Sequence, residues 1–392
     1  MCSVAIKCFP ASYGESFLLT ISQDKEEYNI LIDCGLVDTY KNFIKKELES
    51  IKKIDLIVLT HIDDDHIGGA VELFKDKEIM QKIDIGNIWF NDLYKITEGK
   101  YKHDIVLESN EKEESNKSIF DEEVSYESAK ILANYILKSK HRDVWNKDEV
   151  VVQCEKQLYK EVYPINDSIK FVLLSPKSQR INKLFEEWCD ELEIESDGLV
   201  IDNKTMNKFY NYYINSEDSS EVFDEDCCIG EIQIEELAKL EFNKSNPANN
   251  ASIAFFIEVG GKKMLFLGDS NSSDIKKSLG KYVEDNELKK IDFDLVKLSH
   301  HGSKYNISSK FFDLFSSKKY VISTNGDRYN HPNLECLCKV IVKQTSMKEI
   351  LFNYRNCEIL RELDKIQLKE KYKYIINMPA SAESEEILNI NI

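Results

Sequence analysis

Leu56-Ile57-Val58-Leu59-Thr60-His61-Ile62-Asp63-Asp64-Asp65-His66-Ile67-Gly68-Gly69 is the stretch that decides the fold of this 392-residue chain. Its first four residues are purely apolar, which predicts a short buried strand, and its two closing glycines predict that a helix begins just after them. Two histidines and three aspartates therefore leave the end of one strand together. A solvated acidic turn is the plain alternative, but such a turn rarely needs two histidines behind a buried strand.

The types of side chain in this loop indicate a metal site. Imidazole nitrogens and carboxylate oxygens are ligands that suit zinc, manganese and iron. A loop between a rigid strand and a helix can aim several of them at one point. The segment resembles the metal-binding loop of the metallo-β-lactamase fold, whose pattern is His-x-His-x-Asp-His, and His61, Asp65 and His66 match it. Asp63 stands where the second histidine usually is, a departure shared by the ComEC-type branch.

Three later segments end in similar side chains. A hydrophobic strand at 263–267 is followed by Gly268-Asp269, a strand at 291–298 by His300-His301-Gly302-Ser303, and a strand at 320–324 leads to His331-Pro332. Together with His61 and His66 of the first loop, five of the seven histidines thus follow predicted strands, and they lie in three loops. The segments resemble, in order, the Gly-Asp, Asp-x-Leu-Lys-x-x-His-His-Gly-Ser and His-Pro motifs of ComEC-type domains.

The alternation of strands and helices predicts an α/β fold rather than an all-β one. The resemblance implies an αββα architecture, a metallo-β-lactamase-like two-sheet sandwich flanked by helices. We expect one hydrolase domain over 1–376, interrupted by acidic, partly helical insertions at about 92–167 and 177–246. Residues 377–392 are expected to form a C-terminal tail.

Composition narrows the class of protein. A net charge of −18 argues against broad attraction to nucleic acid, although a local basic groove stays compatible with it. No apolar run approaches bilayer length and no signal-peptide pattern opens the chain, so we expect no membrane partner and a cytoplasmic location. The ten cysteines then represent reduced thiols. The acidic run 217–226 is either a solvated loop or a docking surface for a protein partner.

The resemblance also implies a set of site residues and two divalent metal ions, Zn²⁺ or Mn²⁺. His61 and Asp63 would bind one ion, Asp65, His66 and His331 the other, and Asp269 both. Asp63 and Asn250 stand where other branches have imidazoles, which makes the first site rich in oxygen and short of ligands. Mn²⁺ then competes with Zn²⁺ there, or the site is weakly filled. Asp65, His300 and His301 would be catalytic. Asn250 and Ser303 would bind the substrate.

Two ions of this kind activate water for hydrolysis, and the expected substrate is a phosphodiester. ComEC-type domains resemble nucleases associated with DNA uptake, so a nuclease acting on single strands or ends of DNA or RNA is the leading hypothesis, with a role in bacterial defence. A small-molecule phosphodiesterase of the phosphorylcholine-esterase kind is the alternative among enzymes. A protein-interaction subunit with a degenerate metal site is the alternative from another class. It is favoured because no histidine lies between His141 and His300, where the family has its third imidazole ligand.

Overall fold

A computed structural model of the chain describes residues 2–98, 100–104, 125–154, 158–191, 199–202, 204–205, 208, 234–242, 246–381 and 385–392. Most strands in these ranges belong to two sheets. The six-stranded sheet has the spatial order Leu388–Asn391, Ser3–Cys8, Ser16–Gln23, Glu26–Cys34, Leu56–Leu59 and Ile88–Phe90. The eight-stranded sheet has the order Tyr374–Asn377, Lys348–Phe352, Lys319–Ile322, Leu295–Lys297, Lys262–Phe266, Ala254–Val259, Lys170–Ser175 and Lys160–Val162.

The two sheets pack face to face. Side chains from both sheets share one buried apolar cluster, in which the rings of Phe17 and Phe266 lie 5.7 Å apart between centroids. The outer face of each sheet is covered by helices, which bury a second and a third apolar cluster. This arrangement confirms the predicted αββα sandwich. The longer helices are Asp64–Lys75, Ser125–Lys138, Ser178–Glu191, Ser272–Asp285 and Leu334–Lys343, with shorter ones at Lys77–Lys82, Leu93–Thr97, Cys357–Leu363 and Ile366–Tyr372.

Parallel pairing brings the candidate loops to one side of the sandwich. Glu26–Cys34 pairs in parallel with Leu56–Leu59 in the six-stranded sheet, and Leu295–Lys297 lies between two parallel neighbours in the eight-stranded sheet. Parallel strands end at the same edge, so the loops that follow them meet there. The first metal loop and the later histidine loops therefore face each other across the seam between the sheets.

The helix after the first metal loop begins earlier than the glycines predicted. It spans Asp64–Lys75, so that Gly68 and Gly69 lie inside it. A Cβ atom on Gly69 would stand 2.1 Å from the carbonyl oxygen of Cys34. The glycine thus permits a close approach of this helix to the strand Glu26–Cys34, and the prediction that it marks the helix start was wrong.

The C-terminal segment is part of both sheets rather than a separate tail. Tyr374–Asn377 extends the eight-stranded sheet, and Leu388–Asn391 pairs antiparallel with Ser3–Cys8 at the edge of the six-stranded sheet. The structure therefore differs from the expected boundary at residue 376. The acidic run 217–226 lies outside the described residues. Among the residues that are described, no helix is long and apolar enough to cross a bilayer.

Candidate metal centre

The loop after Leu56–Leu59 delivers four polar side chains into the interior. The strand is buried at every position, and the helix Asp64–Lys75 starts within the loop. Asp63 occupies the N-cap position without using its carboxylate as a cap, and its Oδ2 lies 3.2 Å from Nε2 of His61. Asp65 and His66 stand in the first helical turn, with Oδ2 and Nε2 3.7 Å apart. Two acid–imidazole pairs are thus presented by one short segment.

Asp269 lies between these pairs and comes from the other sheet. It follows the strand Lys262–Phe266 and is 3% exposed. Its Oδ1 lies 3.6 Å from Nε2 of His66, and its Oδ2 lies 3.8 Å from Nε2 of His61. Burial alone would raise the pKa of this carboxyl group, but the charges of His300 and His66 lower it well below its usual range. A carboxylate that faces two imidazoles with separate oxygens is arranged to bridge two cations.

The loop after Leu295–Lys297 supplies two further imidazoles on an unusual backbone. His300 and His301 both have positive φ, 48° and 53°, and Gly302 follows at 87°. Non-glycine residues rarely adopt this region, and they cluster at functional sites when they do. The result is that Nε2 of His300 lies 3.7 Å from Oδ2 of Asp269, and Nε2 of His301 lies 3.2 Å from Oδ2 of Asp65.

All four of these histidines use Nδ1 to contact the protein, which leaves Nε2 directed at the carboxylates. The Nδ1 contacts are His61 to Thr60 Oγ1 at 3.0 Å, His66 to Asp33 Oδ2 at 2.9 Å, His300 to Asn306 Oδ1 at 3.0 Å and His301 to the Ser323 carbonyl oxygen at 2.8 Å. An oxygen acceptor at Nδ1 holds the Nδ1 proton, so that the neutral ring has its lone pair on Nε2. This is the form in which imidazole binds a metal.

The convergent atoms fit divalent metal ions. In the described part of the chain, Nε2 of His61, His66 and His301 and Oδ1 of Asp269 are buried without a hydrogen-bond partner. Such groups are costly unless something else satisfies them. Zn–N and Zn–O bonds of about 2.0–2.2 Å are compatible with donors that lie 3.2–3.8 Å apart around an ion. The structure thus places His301 among the candidate ligands, whereas its predicted role was catalytic.

Neighbouring charges shift the pKa values of these side chains in defined directions. Burial would raise the pKa of Asp65, but His66 and His301 outweigh it and lower that pKa to about 2. Burial would lower the pKa of His66, yet Asp65 and Asp269 raise it well above the ordinary value. The carboxylates therefore stay ionised at neutral pH, as ligands to a cation must.

His331 lies close to these residues but contacts a different part of the group. Its ring centroid is 5.2 Å from that of His300 and 6.5 Å from that of His301, and the side chain is 2% exposed. Neither ring nitrogen has a hydrogen-bond partner within the described ranges. The structure therefore brings the predicted ligand His331 to the centre, on the side where His300 stands.

The two predicted substrate contacts are placed differently. Ser303 is fully buried, and its Oγ accepts a hydrogen bond from the backbone N–H of Tyr305 at 3.4 Å, within its own loop. Asn250 is buried at the end of the helix Pro247–Asn250. It is the preceding residue, Asn249, whose Nδ2 lies 3.5 Å from Nδ1 of His300. Asn249 was not among the predicted site residues.

Glu15 and Lys297 contact each other as a buried pair behind the centre, and sequence reasoning gave neither of them a role. Both side chains are almost completely buried. Glu15 also lies 3.9 Å from Nδ1 of His66 and 3.6 Å from Nδ1 of His301, and it belongs to a group of four potential metal donors within 4.8 Å of one another. Because those Nδ1 atoms are already hydrogen-bonded and the Lys297 side chain contacts the Glu15 carboxylate, we interpret Glu15 as a support for the ligands.

Comparison with known proteins agrees with this geometry. Residues 12–83, which include the loop with His61, Asp63, Asp65 and His66, match the family described as the Metallo-beta-lactamase superfamily. This segment is thus similar to the metallo-β-lactamase superfamily. ComE operon protein 3 of Bacillus subtilis (strain 168) is 30% identical over 90 residues, which are 23% of this chain and 11% of that protein. The chain thus matches only a small part of that relative.

Three of the similar solved structures have low sequence identity to this chain. The metallo-β-lactamase fold protein YhfI from Bacillus subtilis is 10% identical, with both chains covered completely and a TM-score of 0.38. A putative metal-dependent hydrolase from Parabacteroides distasonis ATCC 8503 is 12% identical, with 82% of this chain and 88% of the other covered and a TM-score of 0.32. CmlA, a diiron β-hydroxylase from Streptomyces venezuelae, is 11% identical, with 100% and 54% covered and a TM-score of 0.38.

Proposed function

We propose that the chain is a metal-dependent hydrolase that cleaves phosphodiester bonds, and that its substrate is nucleic acid, as single strands or ends. The observation that carries the proposal is the position of Asp269, whose two oxygens face His61 and His66 separately. His61, Asp63 and Asp269 would hold one ion, and Asp65, His66, His301 and Asp269 the other. Divalent ions held by these residues would lower the pKa of a bound water and stabilise the charged oxygens of a displacement.

His300 is the side chain of the group best placed to meet a substrate. It is 22% exposed, whereas the side chains of His61, His66 and His301 are at most 4% exposed. Its Nδ1 is held by Asn306, so the ring keeps a fixed orientation. When the ring takes up a second proton at Nε2, close to the metal centre, it can donate that proton to the leaving oxygen.

Nucleic acid is favoured over a small diester by the resemblance to ComEC-type domains, which the partial match to ComE operon protein 3 supports, and by an arginine–tyrosine cluster beside the centre. The net charge of −18 opposes binding along a long duplex. A single strand or a short end that reaches the metals is easier to accommodate. A role in bacterial defence is part of the proposal.

The test begins with metal analysis of the purified protein. The protein is then incubated with Mn²⁺ or Zn²⁺ and labelled single-stranded DNA, RNA or a chromogenic phosphodiester. We expect cleavage that Asp269→Asn and Asp65→Asn abolish, with loss of bound metal. Asp55→Asn is the matched control, because Asp55 is equally buried but accepts hydrogen bonds from the backbone N–H of Asn29, away from the metal centre.

The alternatives give different outcomes in the same assay. Cleavage of the chromogenic compound alone would favour a small-molecule phosphodiesterase. A metal-free protein that cleaves no phosphodiester and still captures a protein partner would favour an interaction subunit. Activity that survives Asp269→Asn with unchanged metal content would contradict the proposed site.

A further inference from the structure

The segment before His331 holds two exposed side chains in a strained conformation. It follows the strand Lys319–Ile322 and carries Arg328, Tyr329 and Asn330. Tyr329 and Asn330 have positive φ, 63° and 51°. Two consecutive non-glycine residues in this region persist only where the surroundings impose them, and such strain clusters at ligand sites. The strained backbone therefore holds these side chains in defined positions.

The Arg328 guanidinium lies between two tyrosine rings. Its Cζ is 5.1 Å from the centroid of Tyr13 and 4.9 Å from that of Tyr329. The Tyr329 ring is in turn 6.1 Å from the ring of His331. The stack therefore stands directly beside the metal centre. Stacking and a hydrogen bond with Tyr13 fix the guanidinium, and its remaining N–H donors lie on the edge of the stack.

Tyr13 is anchored to the metal loop itself. It precedes Gly14, where an added Cβ would stand 2.1 Å from the carbonyl oxygen of Asp65. The backbone N–H of Glu15 donates to that same carbonyl oxygen at 3.1 Å. One face of the arginine stack is thus fixed relative to a candidate metal ligand, and the other face belongs to the His331 segment.

A structural role for Arg328 does not explain this arrangement. Arg328 and Tyr329 are exposed, so their stacking covers little core. Asp64 and Asp65 are close enough to affect Arg328 electrostatically, yet within the described ranges no carboxylate oxygen lies within 4.0 Å of its guanidinium nitrogens. An arginine that served only to neutralise those aspartates would pair with them.

The other cations around the centre have partners already. Lys297 is buried in its pair with Glu15, and Lys304 lies 3.6 Å from Glu335. Arg328 is therefore well suited to meet an anion that arrives from solvent. An exposed tyrosine face beside it suits a flat ring, because bases of single strands stack on aromatic side chains whatever their sequence.

We propose that Arg328 binds the phosphate next to the one that is cleaved, and that Tyr329 stacks on the unpaired base between them. The inference rests on the proposed function and narrows its substrate to single-stranded nucleic acid or to frayed ends. A base inside a duplex is stacked on its neighbours and cannot lie on Tyr329. A guanidinium can bind two oxygens of one phosphate, which a lysine cannot do in the same way.

The experiment compares Arg328→Lys, Arg328→Gln, Tyr329→Phe and Tyr329→Ala with the wild-type chain. Arg361→Gln is the matched control, because Arg361 is an exposed arginine on the helix Cys357–Leu363. Binding of a fluorescent single-stranded DNA is measured by anisotropy in Ca²⁺. Cleavage of the same DNA and of a small chromogenic phosphodiester is measured in Mn²⁺. Metal content and thermal melting show that each variant is folded and loaded.

We expect Arg328→Gln and Tyr329→Ala each to weaken DNA binding by about tenfold or more. Arg328→Lys should recover only part of the loss, and Tyr329→Phe should retain more affinity than Tyr329→Ala because the ring face remains. The loss in kcat/KM should be larger for DNA than for the small diester, since the latter has no second phosphate and no base. Arg361→Gln should behave like the wild-type chain.

Two failures can be told apart. If the wild-type chain cleaves DNA, and Arg328→Gln and Tyr329→Ala bind and cleave it as well as the wild-type chain does, the inference is wrong and the proposed function stands. An equal loss on DNA and on the small diester would also overturn it, because Arg328 would then act on the cleaved phosphate. If the wild-type chain cleaves no phosphodiester but binds DNA through Arg328, the proposed function fails alone. Absence of both binding and cleavage overturns both.

Discussion

At the scale of the residue, Asp33 shows how one buried side chain organises the centre. It is completely buried, has a φ of 51°, and accepts hydrogen bonds from the backbone N–H and hydroxyl of Thr60 at 2.7 and 2.8 Å. The same carboxylate lies 2.9 Å from Nδ1 of His66. Since the Thr60 hydroxyl donates to Asp33, it can accept from Nδ1 of His61. One carboxylate thus sets the tautomers of two candidate ligands.

Replacing Asp33 by Asn should weaken metal binding while every candidate ligand remains. Partners of this kind are typically worth about 10–100-fold in metal affinity. The measurement is a competition titration against a chelator of known affinity, with Asp38→Asn, an exposed position, as the control. Equal affinities in the Asp33→Asn and wild-type proteins would show that His66 is oriented without it.

The pair Glu15–Lys297 should contribute to stability in a characteristic way. Replacing Lys297 by Met leaves a buried carboxylate without its partner, and we expect a cost of about 3–5 kcal/mol in the free energy of unfolding. The double variant with Glu15→Gln should cost less than the sum of the two single changes. Chemical denaturation of the four proteins measures this, and Lys318→Met, at an exposed lysine, should cost at most about 1 kcal/mol.

The residue types that sequence could predict are those that close a strand. Apolar runs precede five of the candidate ligands, His61, Asp63, Asp65, His66 and Asp269. A ligand at the end of a strand can therefore be predicted from the sequence alone. Glu15 gave only a weak signal, since it sits in a short Gly-Glu-Ser turn, and its partner is 282 positions away in a strand that looks apolar except for that lysine. Pairings of this kind depend on tertiary structure and leave no local pattern.

At the scale of the element, strands were easier to predict than their partners. The apolar run Leu56–Leu59 could be recognised because both of its faces are buried. Leu388–Asn391 alternates apolar and polar residues near the chain end, and nothing local indicates that its partner is the first strand, Ser3–Cys8. Long-range pairing of this sort is decided by the sheet as a whole, which is why the segment was expected to be a tail.

This last strand should be necessary for stability. Ile390 is 4% exposed and belongs to the apolar cluster between the sheets. We expect Ile390→Ala to lower the free energy of unfolding by about 2–4 kcal/mol, because it leaves a cavity in that cluster. Asn389→Ala, at the adjacent exposed position, should change it by less than about 0.5 kcal/mol. Urea titrations would distinguish the two, and equal effects would mean that the strand is not docked in solution.

At the scale of the whole molecule, the candidate ligands come from both sheets. His61, Asp63, Asp65 and His66 belong to the six-stranded side, whereas Asp269, His300 and His301 belong to the eight-stranded side. Sequence could predict this meeting only through the resemblance to a known fold, because no local pattern says that two strand ends separated by some two hundred residues share an edge.

Removal of the metal should therefore lower the thermal stability of the whole chain. Ions that bind only the folded state add about 2.7 kcal/mol when present at 100 times the dissociation constant. We expect a chelator to lower the melting temperature of the wild-type protein and to have little effect on Asp269→Asn, which lacks the residue shared by both sheets. Differential scanning calorimetry with and without Mn²⁺ measures the shift. A shift of equal size in the two proteins would place the stabilising ion elsewhere.

The spread of ligands across both sheets also has a consequence for biosynthesis. A ribosome releases the Asp33, Thr60 and His66 network long before it makes His300 and His301, and at about 5–20 residues per second the interval is tens of seconds. During that time the nascent chain presents only half of the donors. A product cut short before residue 300 would keep the loop that matches the superfamily and lack the imidazoles of the opposite sheet. Both ions would thus acquire their full sets of ligands only after residue 301 has been made.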